Sequence, residues 1–181
     1  MKFLVFDLEA TCWNSPGNEL RVQEIIEIGA CILDPYGEIE TKFQSFIRPV
    51  KNPILSPYCR NLTMIEQPDI DRAKSFKQVM ERFFEWADPE TEEYLFCAWG
   101  DADKELIRSD AKLHNFSIDW ISPYLDIKDR YHRNRNIQKK MGLDKVLYLN
   151  GFAFEGRRHR ALYDALNLAK LVSKYKDEWH Y

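Results

Sequence analysis

Phe3 to Leu8 is apolar on both of its alternating faces until Asp7 interrupts it. A strand of that kind needs cover on both of its faces. Glu24 to Leu33 (EIIEIGACIL) reads as a second strand, ended by the turn Asp34-Pro35-Tyr36-Gly37, and Thr41 to Ile47 as a third, paired to it as a hairpin. An irregular, proline-containing segment from Arg48 to Ile70 precedes an amphipathic helix over Phe76 to Trp86, with Val79, Met80, Phe83 and Phe84 on its apolar side. Tyr94 to Trp99 is a fourth strand. A helix over Asp103 to His114 follows, then a short strand at Tyr124 to Ile127, a basic helical segment to Lys140, a short helix over Leu143 to Leu149, and a long final helix over Arg160 to Tyr175. Strands interleaved with helices after an opening hairpin predict an α/β fold, a mixed five-stranded sheet with helices on both faces. The 7 Gly and 8 Pro are scattered, and no linker or repeat is visible, so residues 1–181 read as a single domain.

Charge and cysteine usage narrow the function. With 26 Lys+Arg against 29 Asp+Glu and a net charge of -3, bulk electrostatics does not hold this chain on nucleic acid; any polyanion contact is a local patch. The apolar run Phe3 to Phe6 is too short for the core of a signal peptide or for a membrane span, which predicts a cytoplasmic protein without membrane contact. Cys12, Cys31, Cys59 and Cys97 form no C-x-x-C pair, so they read as reduced thiols rather than a zinc site or disulfide framework.

Carboxylates stand where a core belongs. In FDLEAT, alternation puts Phe3, Val5, Asp7 and Glu9 on one face, with the two acids roughly 7 Å apart at the backbone, a metal-sharing distance. The competing reading ends the strand at Asp7 and leaves both acids in a solvated turn. Asp164 shares a helical stripe with Leu168, Leu171 and Tyr175, so a carboxylate heads a stripe that faces the sheet and calls for a cation. An acid in the first helical turn, favoured by the macrodipole, accounts for it as well. On a continuous helix His159 would point about 140° away from Asp164. If the helix begins just after His159, with Gly156 freeing the preceding backbone, the imidazole can reach the same point; otherwise it is a surface or core histidine. Of the two acids in WGDADKELI, Asp103 is followed at three and four residues by Leu106 and Ile107, whereas Asp101 meets Lys104 and Glu105. Asp103 is therefore taken as the inward acid and Asp101 as the helix N-cap.

The order Asp-x-Glu, Asp, His-x-x-x-x-Asp resembles the DEDDh group of 3′-5′ exonucleases, and within it the ERI-like, 3′ histone-mRNA exonuclease subfamily. The likeness runs through FDLEATC, EIIEIGA, F-x-x-F-x-R-P ending at Pro49, LSPYCRNLT, WGDADK and EGRRHRALYDALNLAK, and departs at Ala102, where the subfamily often carries tryptophan. The resemblance implies a ribonuclease H-like fold and hydrolysis of nucleotides from a 3′ end with two Mg²⁺ ions, for which Mn²⁺ can substitute. Asp7, Glu9 and Asp164 would then hold one ion, Asp7 would bridge to a second served by Asp103, and His159 would act as general base. By the same resemblance Tyr58 would stack on a terminal base, and Leu8, Ala10 and Thr11 would line the nucleotide pocket.

Lys128, Arg130, Arg133, Arg135, Lys139 and Lys140 form a basic stretch that is also explained as a solvated face. Arg157 and Arg158, flanking His159, are the cationic contacts tied to the site by sequence. The expected substrate is a single-stranded or overhanging RNA 3′ end, and the product a nucleoside monophosphate. The alternatives are a DNA 3′-5′ exonuclease of proofreading or repair type, and a non-catalytic nucleic-acid-binding module on the same fold. The sequence names no protein partner.

Overall fold

The computed structural model describes residues 1–14 and 22–179. Strand β1 (Lys2–Ala10) lies at the centre of a five-stranded sheet, with β2 (Ile25–Leu33) and the edge strand β3 (Ile39–Phe46) on one side and β4 (Tyr94–Ala98) and β5 (Tyr124–Asp126) on the other, in the order β3-β2-β1-β4-β5. β1 pairs antiparallel with β2 and parallel with β4, so the sheet changes sense at its central strand. The hairpin joining β2 to β3 turns through Gly37, whose φ of +92° and N–H to Asp34 carbonyl bond of 3.0 Å account for the glycine.

Helices cover both faces, as the two-sided apolar pattern of β1 requires. On one face Leu4, Phe6 and Leu8 pack with α3 (Phe76–Ala87) and α4 (Ala102–Leu113) through Phe76, Met80, Phe83 and Ile107. α3 is opened by a reciprocal capping box between Ser75 and Gln78. On the other face Phe3 and Val5 pack with α5 (Ile127–Asn134), α6 (Leu143–Leu149) and α7 (Ala161–Lys174) through Tyr131, Leu147, Leu168 and Val172.

Two stretches differ from the sequence reading. The irregular segment 48–70 contains two short helices, α1 (Pro57–Thr63) and α2 (Gln67–Asp71). Each has proline in its first turn, and Ser56 caps α1 by accepting the Cys59 N–H at 2.9 Å. The basic helix stops at Asn134 rather than Lys140, because the buried His132 ring accepts the Met141 N–H at 2.9 Å and draws residues 135–141 back across the helix end. Among the described residues, no helix is long and apolar enough to cross a membrane, and the four cysteines are free thiols.

Candidate active site

The site follows from a mismatch in strand length. The ladder between β1 and β4 ends at Val5 opposite Cys97, whereas pairing of β1 with β2 continues to Ala10. Beyond the end of β4, the Leu8 N–H donates instead to Asp103 Oδ1 at 3.2 Å. Because β1 and β4 are parallel, the acids ending β1 and the acid opening α4 meet at the same edge of the sheet. Asp103 is 9% exposed, whereas Asp101 is exposed. Asp101 does occupy the N-cap position, but its backbone is helical (φ -83°, ψ -10°) and its side chain makes no capping hydrogen bond, which corrects the capping role expected for it.

Gly29 brings in the third element. It faces Asp7 across the β1–β2 ladder, and a Cβ placed on it would lie 2.0 Å from the Leu162 nitrogen and 2.2 Å from the Ala161 carbonyl carbon. Glycine thus lets the first turn of α7 rest directly on β2. That contact delivers Asp164 to Asp7 and Glu9, and ligand oxygens of the three acids lie within 4.8 Å of one another.

Crowding and burial raise the proton affinity of all four acids. Burial, then the charges of Asp103 and Asp164, hold Asp7 well above the usual carboxylate range. Burial, then Asp164 and Glu27, push Glu9 up to about 8. Asp103 rises to about 7 through burial, against the opposing Leu8 N–H. Asp164 rises to about 6, also through burial, opposed by the Arg160 N–H and by His159. Converging carboxylates that resist ionisation when alone are a site for a positive charge, and an all-oxygen donor set suits a hard divalent cation.

His159 stands outside α7. It is exposed, has a left-handed φ of +57°, and precedes Arg160, the N-cap of the helix. The helical objection to its meeting Asp164 therefore disappears, and its charge acts on the Asp164 carboxylate. Gly156, three residues earlier, has a φ of +80°, and a Cβ there would lie 2.2 Å from the Tyr163 ring.

The candidate substrate residues are placed less uniformly. α1 is tied beside the end of β1, with Ser56 Oγ donating to the Cys12 carbonyl at 2.6 Å and Cys59 Sγ to the Ala10 carbonyl at 3.5 Å. Tyr58, between these anchors, is 40% exposed. Leu8 is buried in the core, whereas Ala10 is half-buried. Thr11 is 2% exposed, and its hydroxyl oxygen accepts the Glu24 N–H at 3.0 Å, so that side chain braces the strand end. Arg158 pairs with Asp144 and lies 4.7 Å from the centre of the Phe154 ring, held toward α6 rather than free over the site. In the basic stretch Arg133 and Lys140 both pair with Asp129, and Arg135 pairs with Glu178.

Two buried acids in EIIEIGA escaped notice as site residues. Glu24 is 1% exposed and accepts the N–H groups of Val50, Lys51 and Asn52, folding that loop against the strand. Glu27 is 0% exposed, directly opposite Glu9 in the ladder, and forms an ion pair with Arg160. The available signal was a charged residue inside an otherwise apolar strand.

Residues 4–172 match the model of the RNase_T exonuclease family. Human "ERI1 exoribonuclease 2" is 32% identical over 197 residues, an alignment covering 94% of this chain and 28% of that protein. The chain thus spans under a third of the length of this relative. The solved nuclease domain of 3′hExo, described as a DEDDh family member bound to rAMP, superimposes with a TM-score of 0.90 at 27% identity, over 98% of this chain and 92% of the other. A 3′-exonuclease structure described as showing 3′-end specific recognition of a histone mRNA stem-loop gives a TM-score of 0.89 at 26% identity, over 98% of this chain and 82% of the other.

Proposed function

The chain belongs to the exonuclease family, in its DEDDh, ERI-like branch with a ribonuclease H-like fold, and from that premise we propose that it is a 3′-5′ exoribonuclease using two Mg²⁺ ions. The family is one that works with divalent metal ions. The observation that carries the reading is the convergence of Asp7, Glu9 and Asp164 ligand atoms within 4.8 Å. Asp103, fixed on the Leu8 N–H beside Asp7, supplies a fourth carboxylate. When bound, the ions would supply Lewis acidity to the scissile phosphate and to the attacking water.

The protein's own part is to hold that charge and to move a proton. Asp7, Glu9 and Asp164 would hold one ion, and Asp7 with Asp103 the second; Mn²⁺ could take the place of Mg²⁺ on the same oxygens. His159, exposed on its loop, accepts a proton from water at an imidazole nitrogen. Tyr58 stacks on the terminal base, with Ala10 and the backbone of Leu8 and Thr11 forming the pocket wall beside it. Arg158, committed to Asp144, reaches a phosphate only by giving up that partner. The substrate is a single-stranded or overhanging RNA 3′ end and the product a nucleoside monophosphate.

The test is parallel incubation of labelled RNA and DNA oligomers of one sequence, with Mg²⁺ and with EDTA. Stepwise release of mononucleotides from the RNA 3′ end, absent in EDTA, is expected. Equal or faster digestion of DNA would overturn the choice of RNA, and no release from either polymer would overturn the enzymatic reading.

A further inference from the structure

We infer that the Glu27–Arg160 ion pair is the positioning device that holds His159 and Asp164 over the carboxylate cluster, an inference that rests on the exonuclease reading above. Glu27 belongs to a strand, and its place relative to Glu9 is set by the β1–β2 ladder, in which the two are direct partners. Arg160 belongs to the loop that carries the proposed base. Its Nε and Nη2 donate to the two Glu27 oxygens at 3.0 and 2.9 Å, a bidentate fork that fixes orientation as well as distance. The guanidinium also lies over the Phe46 ring, which faces Glu27 from β3.

The backbone of the same residue is held on its other side. The Arg160 N–H donates to Asp164 Oδ2 at 3.0 Å, and the next N–H, from Ala161, donates to Glu27 Oε2 at 3.2 Å. The two carboxylates therefore grip the peptide units that link His159 to α7. His159 adopts a left-handed conformation that a non-glycine residue holds only when its surroundings impose it. Its neighbour is locked while its own side chain stays exposed, a fixed pivot beneath a solvent-facing ring.

A purely stabilising role fits this pair poorly. Glu27 is wholly buried directly opposite Glu9, where like charges repel; although it also accepts from Gln44 and from the Ala161 N–H, the ion pair by itself returns little net stability over an apolar pair of similar volume. An apolar pair would fill the space but could not aim the loop. Glu27 and Arg160 are thus positioning residues, acting on the reaction through His159 and Asp164.

The experiment replaces both charges together, Glu27→Leu with Arg160→Met, so that neither is left unpaired. Arg160→Lys is made in parallel, keeping the charge but losing the fork. Val79→Ala, in the α3 core, supplies a destabilised variant remote from the site. For the double variant we expect kcat on 3′-labelled RNA to fall 10- to 100-fold with KM within threefold. For Arg160→Lys we expect a fall of three- to tenfold, and for Val79→Ala an unchanged kcat.

Amide hydrogen exchange of the metal-free protein supplies a readout independent of turnover: exchange of the Arg160 N–H should accelerate at least tenfold in the double variant and less in Arg160→Lys. Wild-type kcat and exchange in Arg160→Lys would overturn the inference, even if the double variant failed to fold. An equal loss of kcat in Val79→Ala would do the same. If the wild-type protein releases no nucleotide, the exonuclease reading fails by itself, and the exchange data still report whether the pair fixes the loop.

Discussion

Glu9→Gln should make the metal-free protein more stable while removing its response to metal. Burial and the neighbouring acids push Glu9 from its ordinary 4.5 up to about 8, so at pH 7 the folded protein retains a proton that the unfolded chain has released. Retaining it costs about 1.4 kcal/mol for each pH unit above 4.5, roughly 3 kcal/mol at pH 7 as an upper bound. A glutamine has no such proton to keep. The folded state binds more protons than the unfolded one, so metal-free stability is full below about pH 4.5 and falls as pH rises through about 8.

Urea denaturation in EDTA at pH 5, 6, 7 and 8 reads this directly. Wild-type stability should decline across the series, and Glu9→Gln should exceed it by about 1–3 kcal/mol at pH 7, with the gap closing toward pH 5. Added Mn²⁺ should raise the wild-type midpoint at pH 7.5 and scarcely move that of the variant, because a ligand that binds only the folded state stabilises it with the logarithm of one plus its concentration over Kd. A flat wild-type profile in EDTA would refute the reasoning, as would a variant less stable than wild type at pH 7.

Asp103→Ala should abolish most cleavage, whereas Asp101→Ala, which removes no capping bond, should change stability by under about 0.5 kcal/mol and leave turnover intact; the reverse ranking in a labelled-RNA assay would misplace the fourth acid. His159→Ala should reduce kcat by roughly 10² to 10⁴ while Mn²⁺ affinity by calorimetry stays within about threefold. A parallel loss of metal affinity would make His159 a ligand instead. Gly29→Ala should cost at least about 2 kcal/mol by urea denaturation, because its Cβ meets the backbone of α7 rather than a side chain that can turn away. The same displacement of Asp164 should weaken Mn²⁺ binding, and an unperturbed variant would show that the first turn of α7 is free to shift.

Where the pattern was local, the sequence determined this protein well. The two-sided apolar run of β1 required cover on both faces of the sheet, and α6 spans Leu143–Leu149 as its apolar spacing predicts. The inward direction of Asp103 was legible from Leu106 and Ile107 a turn later, because an α-helix repeats its faces every three to four residues. The helices α1 and α2 carried signals in Ser56-Pro57 and Gln67-Pro68, outweighed by the shortness of each segment.

What no local pattern contained was distance across the chain. That β1 outlasts β4, leaving the Leu8 N–H for Asp103, depends on the register of two strands about ninety residues apart. Glu27 read as one more residue of a β-strand until the ladder set it against Glu9 and the fold laid Arg160, 133 residues further on, across it. Periodicity shows which face a side chain takes; only packing shows what waits on that face, since the cost of burying a charge depends on the partner the rest of the chain delivers.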